Sequence, residues 1–241
     1  MTHFDTIIIG AGFSGLYQLH RCRDDLNLKT LVIEEGSDLG GTWYWNTYPG
    51  ARCDSESHTY GYTFSENIYK NWTWNEKYPK QSKILKYLNY VEKKLNLRKN
   101  ILFNHKIISA KYLERKNLWQ IKTNKKKVLF CKYLICAVGS LSAANIPKIK
   151  GLNTYKGKYY HTGKWPKKKV NLKNQVVAQI GTGSSGIQVA PEIAKVVKKL
   201  VIFQRTPNYS IPARNKKLTR EFIINFKKDY EKIKKILKKT P

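Results

Sequence analysis

The sequence is poor in acidic residues, cysteine and methionine, and it contains no long hydrophobic run. Of its 241 residues, 16 are Asp or Glu, four are Cys and one is Met. Because no two cysteines form a CxxC pair, a disulfide-rich secreted scaffold and a zinc site are excluded, and we expect a cytoplasmic protein without a metal. Apolar runs such as residues 7–9 are far shorter than the ~20 residues of a membrane span. We therefore expect no transmembrane segment, and the N-terminus lacks the basic region of a signal peptide.

The scarcity of acidic residues leaves a strong excess of positive charge. The 46 Lys and Arg residues give a formal net charge of +30. Of these, 38 are Lys and are scattered over every segment, whereas proteins that read phosphates and bases rely on clustered Arg. This pattern favours a compositional bias at solvated positions and no specific nucleic-acid partner. The alternative is a basic protein without catalysis that binds polyanions or membrane surfaces.

The order of elements is repeated along the chain. The first unit has a buried strand pattern at residues 4–9, the glycine turn GAGFSG at residues 10–15, a helix start and a second strand at residues 31–33. The second unit contains a strand, the turn GTGSSG, a helix and a strand at residues 175–180, 181–186, 187–197 and 200–203. Strands that alternate with helices in this way predict parallel sheets.

Other elements lie around these two units. Residues 40–80, rich in Trp and Tyr, are expected to form a long structured loop region, followed by a helix at 84–97 and an antiparallel meander at 101–136. Residues 219–239 predict one basic amphipathic helix, whose apolar stripe would be exposed unless a partner covers it. The predicted fold class is α/β, with two Rossmann-like, three-layer (ββα) dinucleotide-binding units and a small antiparallel β meander.

The two glycine turns have a specific chemical logic. In a GxGxxG turn, the first glycine makes the tight turn, the second lets a pyrophosphate approach the backbone, and the third lets helix and strand pack closely. A single turn of this kind also occurs without a ligand. Two copies, each between a strand and a helix, indicate two nucleotide sites.

Charged residues after each unit distinguish the two nucleotides. Glu34 follows Gly10 by 24 residues, and Arg205 follows Gly181 by 24 residues. A carboxylate accepts hydrogen bonds from a ribose diol and repels a 2′-phosphate, as FAD or NAD requires, whereas a guanidinium pairs with the 2′-phosphate of NADP. The matched spacing argues against a chance arrangement, and the pair implies electron transfer from NADPH to a flavin.

Three further segments read GGTWYWNTYPGARCD at residues 40–54, YKGKYYHTGKWP at residues 155–166 and FQRTPNYSIPARN at residues 203–215. They resemble segments of Baeyer–Villiger flavin monooxygenases of the cyclohexanone monooxygenase type. The second is similar to the family fingerprint FxGxxxHTxxW followed by Pro or Asp, with Tyr155 in place of Phe. The letters AVG at residues 137–139 stand where related flavoproteins have ATG. The resemblance covers essentially the whole chain.

The resemblance implies FAD and NADP(H) as cofactors and assigns residues to each. The residues implied for FAD are Gly10, Gly12, Phe13, Gly15, Glu34, Thr42, Trp43, Tyr60 and the backbone of Ile107. Those implied for NADP are Arg52, Cys53, Thr182, Gly183, Ser184, Ser185, Gly186, Gln188, Arg205 and Thr206. Asp54 would be the catalytic residue beside both cofactor rings, although Asp is also a common turn residue. The fingerprint residues Gly157, His161, Thr162 and Trp165 would be structural and lie between domains.

The activity implied by the resemblance is insertion of one oxygen atom of O2 into a small ketone, giving an ester or lactone through a C4a-peroxyflavin. An N- or S-oxidising flavin monooxygenase is the alternative enzyme, and the fingerprint favours the ketone. The implied segments are an FAD-binding part at 1–142, a linker at 143–169, an NADP-binding part at 170–214 and the start of a helical insertion at 215–241. The chain thus resembles an N-terminal portion, with the missing C-terminal half, as a separate chain, a candidate partner.

Overall fold

A six-stranded mixed sheet forms the centre of the first of two structural units. The computed structural model describes residues 2–239, with side chains from residue 3 to residue 236. The first unit comprises the chain up to Asn46 together with Leu85–Lys164. The second comprises Thr47–Ile84 and the chain from Trp165 onward.

The sheet of the first unit joins a parallel half to an antiparallel half. Its strands are β1 (Thr2–Ile9), β2 (Thr30–Ile33), β3 (Ile101–Leu102), β4 (Ile107–Leu113), β5 (Leu118–Thr123) and β6 (Val128–Cys136). Their order is β3-β2-β1-β6-β5-β4. Strands β3, β2, β1 and β6 pair in parallel, and β6, β5 and β4 pair antiparallel. The predicted α/β class and meander are confirmed, although residues 101–102 join the parallel half.

The core of the first unit lies against both faces of this sheet. One cluster of buried side chains contains Ile7, Ile33, Ile121, Leu129 and Cys131. Helix α1 (Phe13–His20) packs on β1 and β2, with its Leu16 and Leu19 buried. Because parallel strands are covered on both faces, β1 has the continuous apolar run that the sequence shows, rather than alternation.

Three further helices lie between residues 42 and 95. They are α2 (Thr42–Trp45), α3 (Glu66–Asn71) and α4 (Gln81–Leu95). The predicted helix at 84–97 is confirmed as α4, whose buried residues Ile84, Leu88 and Val91 recur at helical spacing. No helix of the described residues has both the length and the apolar character needed to cross a membrane.

The second unit contains the second glycine turn. Strands β7 (Val176–Ile180) and β8 (Lys199–Phe203) pair in parallel, and α5 (Ser184–Ala194) connects them. Helix α5 begins three residues before the predicted start because Gly183 is its N-cap. The two-stranded sheet leaves large apolar side chains exposed, with Ile180 at 67% and Phe203 at 57% of their accessible surface.

Residues 47–84 pack within the second unit rather than with the N-terminal segment to which the sequence assigned them. Backbone hydrogen bonds tie this stretch to itself and to residues 215–218: Cys53 N–H donates to the Pro79 carbonyl (3.0 Å), and Lys77 N–H donates to the Lys216 carbonyl (2.9 Å). The boundary between the units at Lys164 and Trp165 falls inside the segment expected to be a linker. Which cofactor each segment binds stays a prediction.

The single helix predicted at 219–239 is wrong. The structure has two helices, α6 (Arg220–Lys228) and α7 (Tyr230–Lys239), interrupted at Asp229, which leaves the helical conformation with φ −84° and ψ 18°. The expected exposure of the apolar stripe holds at Phe222, which is 39% exposed, and is wrong at Phe226 and Tyr230. Tyr230 is buried and its hydroxyl donates to the Thr63 carbonyl (2.8 Å), and Phe226 packs on Tyr69. Leu237, on the same stripe, lies outside the residues whose side chains are described.

Helix α6 packs on a histidine. The His58 ring contacts Phe222 and Phe226 edge-on, with ring centroids 5.4 and 4.9 Å apart. Burial lowers the pKa of His58 below its usual 6.5, Glu56 opposes that shift, and Lys77 adds to it. The folded protein therefore holds His58 neutral at pH values where the unfolded chain begins to protonate it.

Because the unfolded chain binds that proton more readily, we predict that His58 lowers stability as the pH falls through the unfolded pKa near 6.5. A neutral Gln at this position cannot titrate. Urea unfolding of the wild type and His58→Gln at about pH 7.5 and about pH 5.5 should show a steeper loss of unfolding free energy in the wild type. Equal losses in the two proteins would contradict the assignment.

Candidate functional site

The two glycine turns have the same backbone geometry. Gly10 and Gly181 begin them with φ of +100° and +97°, in the region that favours glycine. The N–H of Gly10 donates to the Ile33 carbonyl (2.9 Å), and that of Gly181 donates to the Phe203 carbonyl (2.8 Å). Helices α1 and α5 then start, and within the described residues neither N-terminus is capped by a side-chain hydrogen bond. Each turn thus presents a helix N-terminus suited to an anion.

The third glycine of each turn allows the helix to touch the turn. A Cβ on Gly15 would overlap the Gly10 carbonyl oxygen, and a Cβ on Gly186 would lie 2.5 Å from the Gly181 carbonyl oxygen. Neither position has room for a side chain. These glycines are therefore explained by packing within the chain.

The middle glycine differs between the turns. A Cβ on Gly183 would have no atom within 4 Å, and its φ of −68° suits any residue. Packing within the described chain therefore does not require glycine there, whereas a phosphate close to the backbone would. In the first turn, a Cβ on Gly12 would lie 3.4 Å from the Gly41 Cα.

A second turn faces the first one within the first unit. Gly40 N–H donates to the Ala11 carbonyl (2.9 Å), and a Cβ on Gly41 would lie 2.8 Å from the Gly12 Cα. The resemblance included Gly40 and Gly41 in its flavin-contacting segment but assigned a role only to Thr42 and Trp43 among these four residues. The signal in the sequence was the pair of adjacent glycines. Both residues adopt a positive φ, a conformation that favours glycine.

Glu34 holds the first turn in place. Its side chain is 4% exposed, Oε2 accepts a hydrogen bond from Ala11 N–H and Oε1 accepts one from Gly36 N–H, both at 2.7 Å. Each carboxylate oxygen can accept a second hydrogen bond. The residue can thus support the turn and still accept hydrogen bonds from a ribose diol.

The strand register shows that Glu34 and Arg205 do not occupy equivalent positions after their strands. The last paired residues are Ile9 with Ile33 in the first unit and Ile180 with Phe203 in the second. The residue after β2 is Glu34, and the residue after β8 is Gln204. The equal spacing in sequence therefore does not correspond to equivalent positions, because Arg205 lies one residue further along the chain than the counterpart of Glu34.

Gln204 makes a contact that corresponds to that of Glu34. Its Nε2 donates to Thr182 Oγ1 (2.7 Å), and Thr182 follows the first glycine of its turn as Ala11 does. Asn208 Nδ2 also donates to Thr182 Oγ1 (3.1 Å). Arg205 and Thr206 are exposed in the loop between these two contacts. The Thr182 hydroxyl, expected to hold a phosphate, thus also fixes this loop.

The loop at residues 52–54 places three predicted site residues differently. Cys53 is 3% exposed, its Sγ accepts a hydrogen bond from Ser55 N–H (3.4 Å), and burial raises the pKa of its thiol. Its side chain faces the interior, so only its backbone could line a channel. Arg52 is half-buried, and Asp54 is exposed.

The side chain of Gln188 forms hydrogen bonds to other residues of the second unit. The resemblance assigned it to the NADP phosphates. In the structure, its amide bonds to the Tyr48 hydroxyl and to both backbone groups of Arg52. Tyr48 lies in the segment at residues 40–54 that carries the resemblance, but sequence reasoning gave its side chain no role.

The remaining predicted residues are distributed over both units. Ile107 is the first residue of β4, pairs with Thr123, and packs its side chain against the core cluster. Thr42 is the first residue of α2, and Trp43, the second, is buried. Ser184 and Ser185 open α5, and Tyr60 is half-buried in the second unit.

The fingerprint crosses the boundary between the units. Gly157, His161 and Thr162 belong to the first unit, and Trp165 begins the next segment of the second. His161 Nδ1 accepts a hydrogen bond from Gly163 N–H (3.2 Å), and a short 3-10 turn follows at Thr162–Lys164.

Comparison with known proteins identifies the family of this chain. The model of the flavin-binding monooxygenase-like family matches residues 5–239. The chain belongs to the flavin-binding monooxygenase-like family. A cyclohexanone 1,2-monooxygenase of Acinetobacter sp. is 41% identical over 229 residues, covering 95% of this chain and 42% of its own length. A phenazine N-monooxygenase of Lysobacter antibioticus is 38% identical over 232 residues, covering 96% and 43%.

Solved structures show the same likeness. The structure of cyclohexanone monooxygenase from Rhodococcus sp. Phi1 bound to NADP+ is 42% identical with a TM-score of 0.95, covering 99% of this chain and 45% of that one. This member of the flavin-binding monooxygenase-like family thus spans less than half the length of the curated relatives it matches.

The glycines of the second turn yield a stability prediction. Gly186→Ala should lower the free energy of unfolding by about 1–3 kcal/mol, because the new Cβ would overlap the Gly181 carbonyl. Gly183→Ala should cost about 1 kcal/mol or less, the difference between Gly and Ala at an N-cap. Urea unfolding monitored by circular dichroism measures both. A Gly183→Ala protein as unstable as Gly186→Ala would show that packing requires both glycines.

Proposed function

We propose that this chain provides the FAD- and NADPH-binding residues of a monooxygenase that inserts one atom of O2 into a ketone, giving an ester or lactone. The observation that carries the proposal is the pair of glycine turns, each with an uncapped helix N-terminus and a polar side chain from the next strand end bonded to it. The relative acting on cyclohexanone and the structure bound to NADP+ support this pairing of cofactors.

The residues of the first turn fit FAD. Gly12 and Gly41 approach each other backbone to backbone at the start of α1, where the pyrophosphate would bind. The buried carboxylate of Glu34 would accept the ribose hydroxyls. Phe13, Gly10 and Gly15 would complete the turn. The further residues proposed for FAD are Thr42, Trp43, Tyr60 and the backbone of Ile107.

The residues of the second turn fit NADP(H). Gly183 leaves open space over the start of α5, where Ser184 and Ser185 would face the phosphates. The strand-end position that carries Glu34 in the first unit carries the neutral Gln204 here, so no carboxylate would repel a 2′-phosphate. Arg205 and Thr206 would bind that phosphate.

Asp54 is the proposed catalytic residue. Its carboxylate is exposed, while the residues before it are held on both sides by Gln188 and Pro79. When bound, FAD would accept a hydride from NADPH and activate O2 for transfer of one oxygen atom to the ketone. The protein would orient the cofactors and exclude water.

N-oxidation is the second candidate function. The similarity to a phenazine N-monooxygenase over 96% of the chain favours it, because that relative matches nearly as well as the ketone-oxidising one.

We also propose that a further polypeptide segment packs on the two-stranded sheet of the second unit. Ile180 and Phe203 expose apolar surface on the two-stranded sheet, and large exposed apolar patches mark interaction sites. A segment equivalent to the part of the relatives that this chain does not cover would pack there.

The function is tested by purifying the chain and recording its visible spectrum. We expect a near-stoichiometric flavin band that NADPH bleaches and NADH does not. NADPH oxidation stimulated by a cyclic ketone would favour oxygen insertion, and stimulation by a phenazine would favour N-oxidation. A colourless protein that binds neither FAD nor NADP+ would contradict both.

Two substitutions distinguish binding of the 2′-phosphate, which only NADPH carries, from binding of the pyrophosphate, which NADPH and NADH share. Arg205→Ala should weaken NADPH binding by about tenfold to a hundredfold and leave NADH binding unchanged, because one charge-assisted contact to the 2′-phosphate is lost. Gly183→Ala should weaken both equally, because the pyrophosphate is common to both. Fluorescence titration measures the dissociation constants, with the exposed Arg220→Ala as the control for lost charge. Equal effects of Arg205→Ala on the binding of both nucleotides would contradict the assignment of Arg205 to the 2′-phosphate.

Gly12→Val tests the FAD assignment. A branched side chain there would press on Gly41 and occupy the space in front of α1, so we expect the purified protein to lose its flavin. The ratio of flavin to protein absorbance measures this. A variant that stays yellow would place the flavin pyrophosphate elsewhere.

A further inference from the structure

The side-chain amide of Gln188 bonds to both backbone groups of Arg52, as the backbone of a neighbouring β-strand would. Its Oε1 accepts a hydrogen bond from Arg52 N–H (3.3 Å), and its Nε2 donates to the Arg52 carbonyl (3.1 Å). Oε1 also accepts a hydrogen bond from the Tyr48 hydroxyl (3.0 Å). Three of the four hydrogen-bonding positions of this amide are therefore used within the second unit. We call these three hydrogen bonds the Gln188 clasp.

The turn before Arg52 rests on the same residue of α5. Gly50 has φ +84°, and a Cβ there would overlap the Gln188 carbonyl oxygen. The backbone of Gln188 thus contacts the turn at Gly50, and its side chain holds the next segment. Both contacts lie on the helix that starts at the second glycine turn.

The opposite side of the loop is also fixed. Cys53 N–H donates to the Pro79 carbonyl (3.0 Å), and Arg52 forms an isolated antiparallel bridge with Lys80. Arg52 is therefore held from both sides, and the exposed Asp54 follows two residues later. The position of the Asp54 backbone depends on these two attachments.

We propose that Gln188 is a positioning residue that fixes the Asp54 loop on helix α5 rather than a ligand of the NADP phosphates. This proposal rests on the proposed function for the role of Asp54. Because α5 also presents Gly183 and Ser184 to the nucleotide, the clasp sets the distance between the nucleotide-binding helix and the catalytic loop. Its loss would misplace Asp54 without removing a phosphate contact.

Gln188→Leu removes all three hydrogen bonds at similar volume. We expect about tenfold faster amide hydrogen exchange in residues 50–54, because Arg52 N–H loses its acceptor. The dissociation constant for NADP+ should stay within about twofold, while the rate of flavin reduction at saturating NADPH should fall by about tenfold or more. Tyr48→Phe removes one of the three bonds and should have a smaller effect on each rate.

The exposed Gln175→Leu provides the matched control, since it makes the same chemical change directly before β7 rather than in the Asp54 loop or on α5. Unchanged exchange in residues 50–54 of Gln188→Leu would overturn the proposal. A tenfold loss of NADP+ affinity without faster exchange would make Gln188 a phosphate ligand. If the wild type binds neither FAD nor NADP+, the proposed function fails, whereas the exchange comparison still decides whether Gln188 holds the loop.

Discussion

In both units, the start of a helix touches the backbone turn that follows a parallel strand, with no side chain between them. Gly15 and Gly186 lie so close to the carbonyls of Gly10 and Gly181 that a Cβ would overlap them. This contact directs each helix N-terminus toward the end of the sheet, where its unpaired amides favour an anion. The position of the strand-end side chains and of the surrounding loops follows from it.

The two units then differ in what they add to the same framework. In the first, the charged Glu34 bonds to the backbone of Ala11, and the glycines at 40 and 41 close against the turn. In the second, the neutral Gln204 bonds to the hydroxyl of Thr182, and the space beside Gly183 is open. In the proposed function, this difference selects an adenosine ribose with free hydroxyls in the first unit and a ribose with a 2′-phosphate in the second.

The sequence predicted the features that depend on local patterns. The glycine turns, the buried run of β1 and the periodicity of α4 are contiguous in the chain, so propensity and spacing identify them. The interruption at Asp229 was missed because Phe222, Phe226 and Tyr230 keep one helical period on both sides of it.

The features that the sequence missed depend on long-range pairing. Counting residues equated Arg205 with Glu34, whereas the paired strand ends of the second unit are one residue closer in sequence than those of the first. The contacts of Gln188 join residues 136 positions apart. No periodicity or motif encodes such a contact. The assignment of Gln188 to the NADP phosphates stays a prediction, with which the proposed positioning role competes.

Amide hydrogen exchange of the purified chain, recorded with no ligand, with FAD and with NADP+, tests most directly whether each turn binds a dinucleotide. We expect FAD to slow exchange at residues 12–16 and 40–43, and NADP+ to slow it at residues 183–187. Protection by either ligand elsewhere only, or no protection at either turn, would contradict the account.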